Sequence, residues 1–442
     1  MKHADRILPA RAGFTTADGL DVEVARRGRV PLVSIRLVMQ PGTAADPPAR
    51  PGLVDFTVKL MRRGTRLLDA DALNEAVEFV GASLGVYAAE DFVALAVTTP
   101  AEHLGEMLDV LGQMVREPTF PPDEFDTEQA RTLAQFSNDV DDPGLLADRA
   151  LQRAIWGSHP YGHDVAGNRV SVEALRREDV VALHRDVFGP RISRLVLVGD
   201  VDVHAARPFV EHAFAGWRDG PARPVVPPRL SQAAGEGRVV VVDRPNQTQA
   251  QVRLGSLAYC RGEPATFAAQ VMNAALGGGF TSRLVREVRV KRGLSYGVGS
   301  SFETMRAGGS FSVSSFTKVK TTKLLLDVIL GEVARMRERG PTKAELEKAQ
   351  EYLAGLFPLR VETNEAVASA IADLWLYSLG EDWVDDYRVR IRGVTRADAA
   401  LAASTFCFPR PPAVVLVGPA EALARAAEAL GEVTVMSATE LT

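Results

Sequence analysis

Cysteine is nearly missing: Cys260 and Cys407 are the two in 442 residues, far apart and in no Cys-x-x-Cys pattern. That excludes a disulfide framework and a zinc ribbon, and predicts reduced, buried thiols. Histidine is also scarce, with seven in the chain. None falls at i, i+4 on a helical pattern. His159 and His163 have the interval, but Pro160 and Gly162 make that segment a turn, which reads as a structural loop rather than a metal pair. Positive charge is not in excess: the net charge is −5 and no basic stripe is present, so nucleic acid is excluded as a partner. No run approaches about eighteen apolar residues, which predicts no membrane-spanning helix. The opening "MKHADRILPARAGF" lacks the apolar stretch of a signal peptide. The expectation is a cytoplasmic protein, periplasmic only if a leader has been removed. The phosphate loop, the Gly-x-Ser-x-Gly elbow and the Gly-x-Gly-x-x-Gly fingerprint are all missing. The glycines of "LGGGFTSRL" (276–284) follow a helix with no strand before them, and read as a helix terminus.

What is present is ordinary globular material, 46% hydrophobic and 24% charged, enough for roughly two to four domains. One Pro/Gly-rich stretch, "RDGPARPVVPPRLSQAAGEG" (218–237), reads as a linker. It separates residues 1–217 from 238–442, and the two halves echo each other. A helix followed by an apolar strand ends in Val198-Gly199 in the first half and in Val417-Gly418 in the second. Asp179 and Asp398 precede those glycines by the same interval. "GEMLDVLGQMV" (105–115) likewise matches "KLLLDVILGEV" (323–333). A period this long signals duplicated domains. Apolar strands such as "PLVSIRLVMQ" (31–40) and "RVVVVD" (238–243) alternate with helices. One helix carries Leu104, Met107, Leu108, Leu111, Met114 and Val115 on a single face. The predicted class is α+β: two homologous domains, each a largely antiparallel sheet covered by helices on one face.

Five segments in order resemble the pitrilysin/insulinase family of zinc peptidases, which includes mitochondrial processing peptidase. They are "DGLDVEV" with "VPLVSIRLVMQPGTAADPP", "GLVDFTVKLMRRGT", "DDPGLLADRALQRAIWGSHPYGHDVAGN" and "GGGFTSRLVREVRVKRGLSYGVGSSF". The resemblance runs along most of the chain and implies a clam-shell half built of two similar domains. In the frame Gly52 to Gly64-Thr65, the family's first histidine ligand falls on Asp55, its catalytic glutamate on Val58 and its second histidine on Lys59. Its third ligand falls on Gln135 or Phe136. Zinc there needs imidazole nitrogens, a carboxylate and an open position for water, and the base must accept a proton. A single Asp beside a Lys ammonium offers neither the ligand number nor the charge, and Val58 takes no proton from water, so no metal is expected in this chain. Asp55 and Lys59, four apart with the acid first, are expected to form a helix-surface ion pair. The Asn-Ala pair of the family's peptide-binding edge strand falls on Gly85-Val86, which removes a side-chain amide.

The second-domain signature is kept. The family's Arg and Tyr, in an R-E-x-x-G-L-x-Y context, fall on Arg289 and Tyr296 in "RVKRGLSY". Such donors suit the negative charge that develops on oxygen during peptide hydrolysis. Arg286 and Arg292 read as surface charge. Lost metal residues beside a kept Arg/Tyr pair resemble the non-metal subunit of two-subunit enzymes in the family. The resemblance therefore implies a heterodimer with a zinc-bearing paralogue, peptide as substrate, zinc in the partner subunit, and Arg289 and Tyr296 acting in trans. The alternative is a structural or assembly subunit with no catalytic contribution.

Overall fold

A computed structural model describes residues 6–217 and 220–442. Among the described residues, twelve strands form two six-stranded sheets. The first contains β1 (Arg11–Thr15), β2 (Asp21–Arg26), β3 (Leu32–Met39), β4 (Ser83–Ala88), β5 (Val93–Pro100) and β6 (Ser193–Gly199), in the order β1-β2-β6-β3-β5-β4. The second contains β7 (Arg238–Asp243), β8 (Gln249–Ala258), β9 (Val298–Thr304), β10 (Gly309–Lys318), β11 (Ala413–Gly418) and β12 (Glu432–Ser437), in the order β12-β7-β11-β8-β10-β9. Both sheets are mostly antiparallel but mixed: β2 runs parallel to β6, and β7 runs parallel to both β11 and β12. With helices interspersed, the class is α+β, and the shared order β6-β3-β5-β4 and β11-β8-β10-β9 is the repeat seen in the sequence. Asp179 and Asp398 each accept a hydrogen bond from the backbone N–H three residues earlier, at 3.0 and 2.9 Å, closing the first turn of matching helices. Gly199 and Gly418 end the matching strands at φ +148° and +155°, a conformation that favours glycine.

In the first half, α1 (Leu53–Met61), α2 (Ala70–Phe79), α3 (Leu104–Arg116) and α4 (Pro122–Asp139) precede α5 (Pro143–Trp156). The predicted stripe of α3 is buried throughout, from Leu104 to Val115. Cross-strand register puts Val22, Leu195, Ile35, Leu37, Leu95 and Val86 on one face of the first sheet, where all but the half-buried Val86 are core. The other face carries Glu23, Arg194, Ser34, Arg36 and Tyr87.

The chain divides into two compact units, and the division at 226–227 lies inside the expected linker 218–237, of which residues 218 and 219 fall outside the described residues. The units are not simply residues 1–217 and 238–442. One contains everything up to Ala134, Val165–Val226 and Pro358–Asp385; the other contains Gln135–Asp164, Pro227–Phe357 and Asp386–Thr442. Two helical segments thus lie in the unit opposite to their half of the sequence. The physical reason is that each sheet has a second face to cover. In the first unit the helix Asn364–Leu376 packs over β3 and β6, with Arg194 stacked on Trp375 at 5.6 Å and Arg36 within electrostatic reach of Asp373 and Glu365. In the second unit α5 packs over β8 and β11. Asp142 starts α5 by accepting N–H bonds from Gly144 and Leu145 at 2.8 and 3.1 Å, with Pro143 at its first position. Arg253 of β8 meets Asp148 of α5 at 2.5 Å. Helices therefore cover part of both faces, beyond the single covered face the periodicity indicated.

Candidate functional site

Two places in the chain carry the chemistry singled out by the sequence, and each is built differently. Helix α1 begins at Gly52, whose φ of +89° lets the chain turn sharply into the helix. Asp46 caps that start, accepting N–H bonds from Gly52 and Val54 at 2.7 Å each. Burial pushes the Asp46 carboxyl up to about 7, against the pull of those two N–H groups, and the Asp55 charge adds to the rise. Leu53, Phe56, Leu60 and Met61 are buried, as expected of the packing face. Asp55 is bound to Lys59 at 2.7 Å, the predicted i, i+4 pair. Val58 is fully buried.

Gln135 and Phe136 stand late in α4 and belong to the second unit. The Gln135 amide donates to Asp139 at 2.7 Å. Phe136 is buried, with the Arg149 guanidinium 5.7 Å from its ring. Arg149 in turn joins Asp139 and Asp164 at 2.7 and 2.6 Å. Zinc does not fit these residues. The sole carboxylate on α1 near the motif is neutralised by an ammonium, the base position is an alkyl chain, and Gln135 and Phe136 are committed to a structural network. Neither is His159/His163 a metal pair. His159 uses both ring nitrogens, one 2.7 Å from the Pro228 carbonyl oxygen and the other accepting the Tyr161 N–H at 3.1 Å, and burial holds it below the usual imidazole range. Both cysteines are free and buried.

Arg289 and Tyr296 are brought together. Residues Val285–Val290 form wide π-helical turns, a geometry that is rare and enriched at functional sites. They lead through Gly293 (φ +59°) to the turn before β9. The Arg289 guanidinium sits 4.4 Å from the Tyr296 ring centroid, while Tyr296 is 75% exposed. Among the described residues Arg289 has no carboxylate partner. Two anchors fix this arrangement. Thr317 donates to the Leu294 carbonyl at 2.7 Å and Ser315 to the Gly297 carbonyl at 2.8 Å, which pins the Tyr296 turn to β10. Glu287 is buried beneath the wide turns and joins Lys291 and Arg292, each at 2.7 Å. The bonds from Lys291 and then Arg292 hold its carboxyl down at about 2. Arg292 also donates to the Glu287 carbonyl at 2.9 Å. Arg292 is exposed, as a surface charge is expected to be, and also braces the turn through Glu287. Sequence reasoning passed over Glu287, although its i, i+4 spacing to Lys291 in "REVRVKR" was the available signal.

The two edge strands that correspond in the repeat differ in availability. The outer side of β9 is partly used: the Ser300 N–H donates to Gly277 at 3.3 Å and its carbonyl accepts from the Asn273 amide at 3.0 Å. The outer side of β4 has no main-chain partner among the described residues, and a Cβ at Gly85 would meet nothing.

With this geometry, residues 23–169 match the family model for insulinase (peptidase family M16), and residues 174–353 match the model for the peptidase M16 inactive domain. The chain belongs to the M16 peptidase family. An uncharacterized zinc protease of Streptomyces coelicolor is 28% identical over 384 residues, covering 86% of this chain and 83% of that protein. The protein called non-peptidase homolog YmxG in Helicobacter pylori is 24% identical over 353 residues, with 79% of each chain covered. Among solved structures, a peptidase M16 inactive domain from Pseudomonas fluorescens superposes with a TM-score of 0.87 at 26% identity, covering 93% of this chain and 98% of that one. By these matches the chain is an inactive M16 peptidase-like homologue.

Proposed function

We propose that this chain is the non-metal half of a heterodimeric peptidase. It pairs with a zinc-bearing M16 paralogue and lends Arg289 and Tyr296 to the partner's peptide-hydrolysing site. The observation that carries the reading is selective: helix α1 holds no histidine and packs through Leu53, Phe56, Leu60 and Met61, while Arg289 and Tyr296 stand together on an anchored turn with the phenol exposed. A guanidinium with no carboxylate to neutralise it and a phenol free to donate are the groups that stabilise a developing oxyanion or grip a peptide carbonyl. The open edge of β4 supports peptide as the ligand class, because an extended chain can add to it through main-chain hydrogen bonds alone. Gly85 supplies no side-chain amide there, so backbone pairing would be the whole of that contact.

The test is reconstitution with a paralogue carrying an intact His-x-x-Glu-His motif. Arg289→Ala and Tyr296→Phe should each lower kcat/KM by on the order of a hundredfold, while co-purification stays unchanged. Unaltered activity of both variants would remove the trans role and leave an assembly subunit.

A further inference from the structure

Helix α2 is apolar on two sides. Leu73, Val77 and Val80 are buried in the core of the first unit, as a single-stripe surface helix requires. Ala72, Ala76 and Phe79 make a second stripe at i, i+4 and i+7, and Phe79 is 87% exposed. This second stripe forms one wall of a groove of about 430 Å³, and Met107 and Val110 of α3 form the other. Small residues at 72 and 76 keep that wall low, which is what the close approach of another helix needs.

The rim has one sign of charge. Glu75 and Glu106 line the groove. In sequence, Asp71 and Glu78 stand within one helical turn of Glu75, and Glu102 and Asp109 within about one turn of Glu106. Glu106 meets His103 at 3.2 Å; among the described residues the other five carboxylates have no ion-pair partner. A second copy of the same face would bring like charges together, so self-association is disfavoured. We propose that the α2–α3 groove docks a basic amphipathic helix presented by a partner protein. Its apolar ridge would lie on Ala72, Ala76 and Phe79, and its Lys or Arg side chains would meet Glu75 and Glu106. The surface is independent of Arg289 and Tyr296, so either reading can fail alone.

The experiment titrates the full chain into a fluorescein-labelled Leu/Lys peptide of about fourteen residues, roughly four helical turns, with leucines on one face. Its scrambled isomer and a Leu/Glu counterpart serve as controls, and binding is read by fluorescence anisotropy. The expected result is binding of the amphipathic basic peptide alone, weakened roughly tenfold or more by Phe79→Ser and by the double charge reversal Glu75→Lys/Glu106→Lys. Both variants change exposed groups, and unchanged thermal unfolding confirms that they fold. Equal binding of the scrambled peptide overturns the proposal, as does undiminished binding by both variants. So does light scattering that shows a wild-type dimer abolished by Phe79→Ser, which would make a second copy the occupant.

Discussion

At the residue scale, Asp46 and Glu287 are opposite experiments in burying a carboxyl. Asp46 is raised from 3.8 to about 7 by burial, so the folded chain holds a proton that the unfolded chain gives up. Its linkage makes stability highest below pH 3.8 and erodes it as pH rises toward 7. Asp46→Asn, uncharged throughout, should flatten that part of the stability profile, measured as urea midpoints across the window. Glu287 runs the other way. Lys291 and Arg292 lower it from 4.5 to about 2, so its contribution is whole above pH 4.5 and is lost as pH falls toward 2. Glu287→Gln should remove that acid-side loss and loosen the turn carrying Arg289, seen as faster amide exchange at residues 288–294. The Asp55–Lys59 pair was legible from spacing alone, because helix geometry fixes which side chains meet at i, i+4. Asp46 was not, since its interest comes from burial, which depends on segments distant in sequence.

Among elements, two glycines distinguish a covered sheet face from an open edge. A Cβ on Gly255 of β8 would lie 2.6 Å from Ile155 and 2.9 Å from Leu151, both on α5. Gly255→Val should therefore destabilise by about 1–3 kcal/mol through overpacking. Gly85→Val on β4 meets open space and adds a β-branched residue, so stability should change by less than about 1 kcal/mol. Thermal unfolding of the two variants makes the comparison. The strands, the α3 stripe and the matched Asp179/Gly199 and Asp398/Gly418 units could be read from the sequence because each is a local pattern. The placement of α5 and of Asn364–Leu376 could not. Periodicity reveals that a helix has an apolar face, but it carries no information about which sheet that face covers. The repeat even pointed the wrong way, since each of these helices packs against the sheet of the other half.

For the whole molecule, one chain holds a helix α1 that packs through Leu53, Phe56, Leu60 and Met61 and an Arg289/Tyr296 turn anchored to β10. The isolated chain is expected to bind no stoichiometric zinc, checked by metal analysis of the purified protein, and to cleave no peptide. The absence of histidines at positions 55 and 59 made the first half of this account visible in the sequence. The second half needed the structure, because proximity of Arg289 and Tyr296 depends on wide helical turns and on Ser315 and Thr317 of β10. The most direct test is the kcat/KM of this chain reconstituted with a zinc-bearing paralogue, compared between wild type and Tyr296→Phe. A loss of on the order of a hundredfold with intact assembly is the predicted result, and wild-type activity from the variant complex would contradict it.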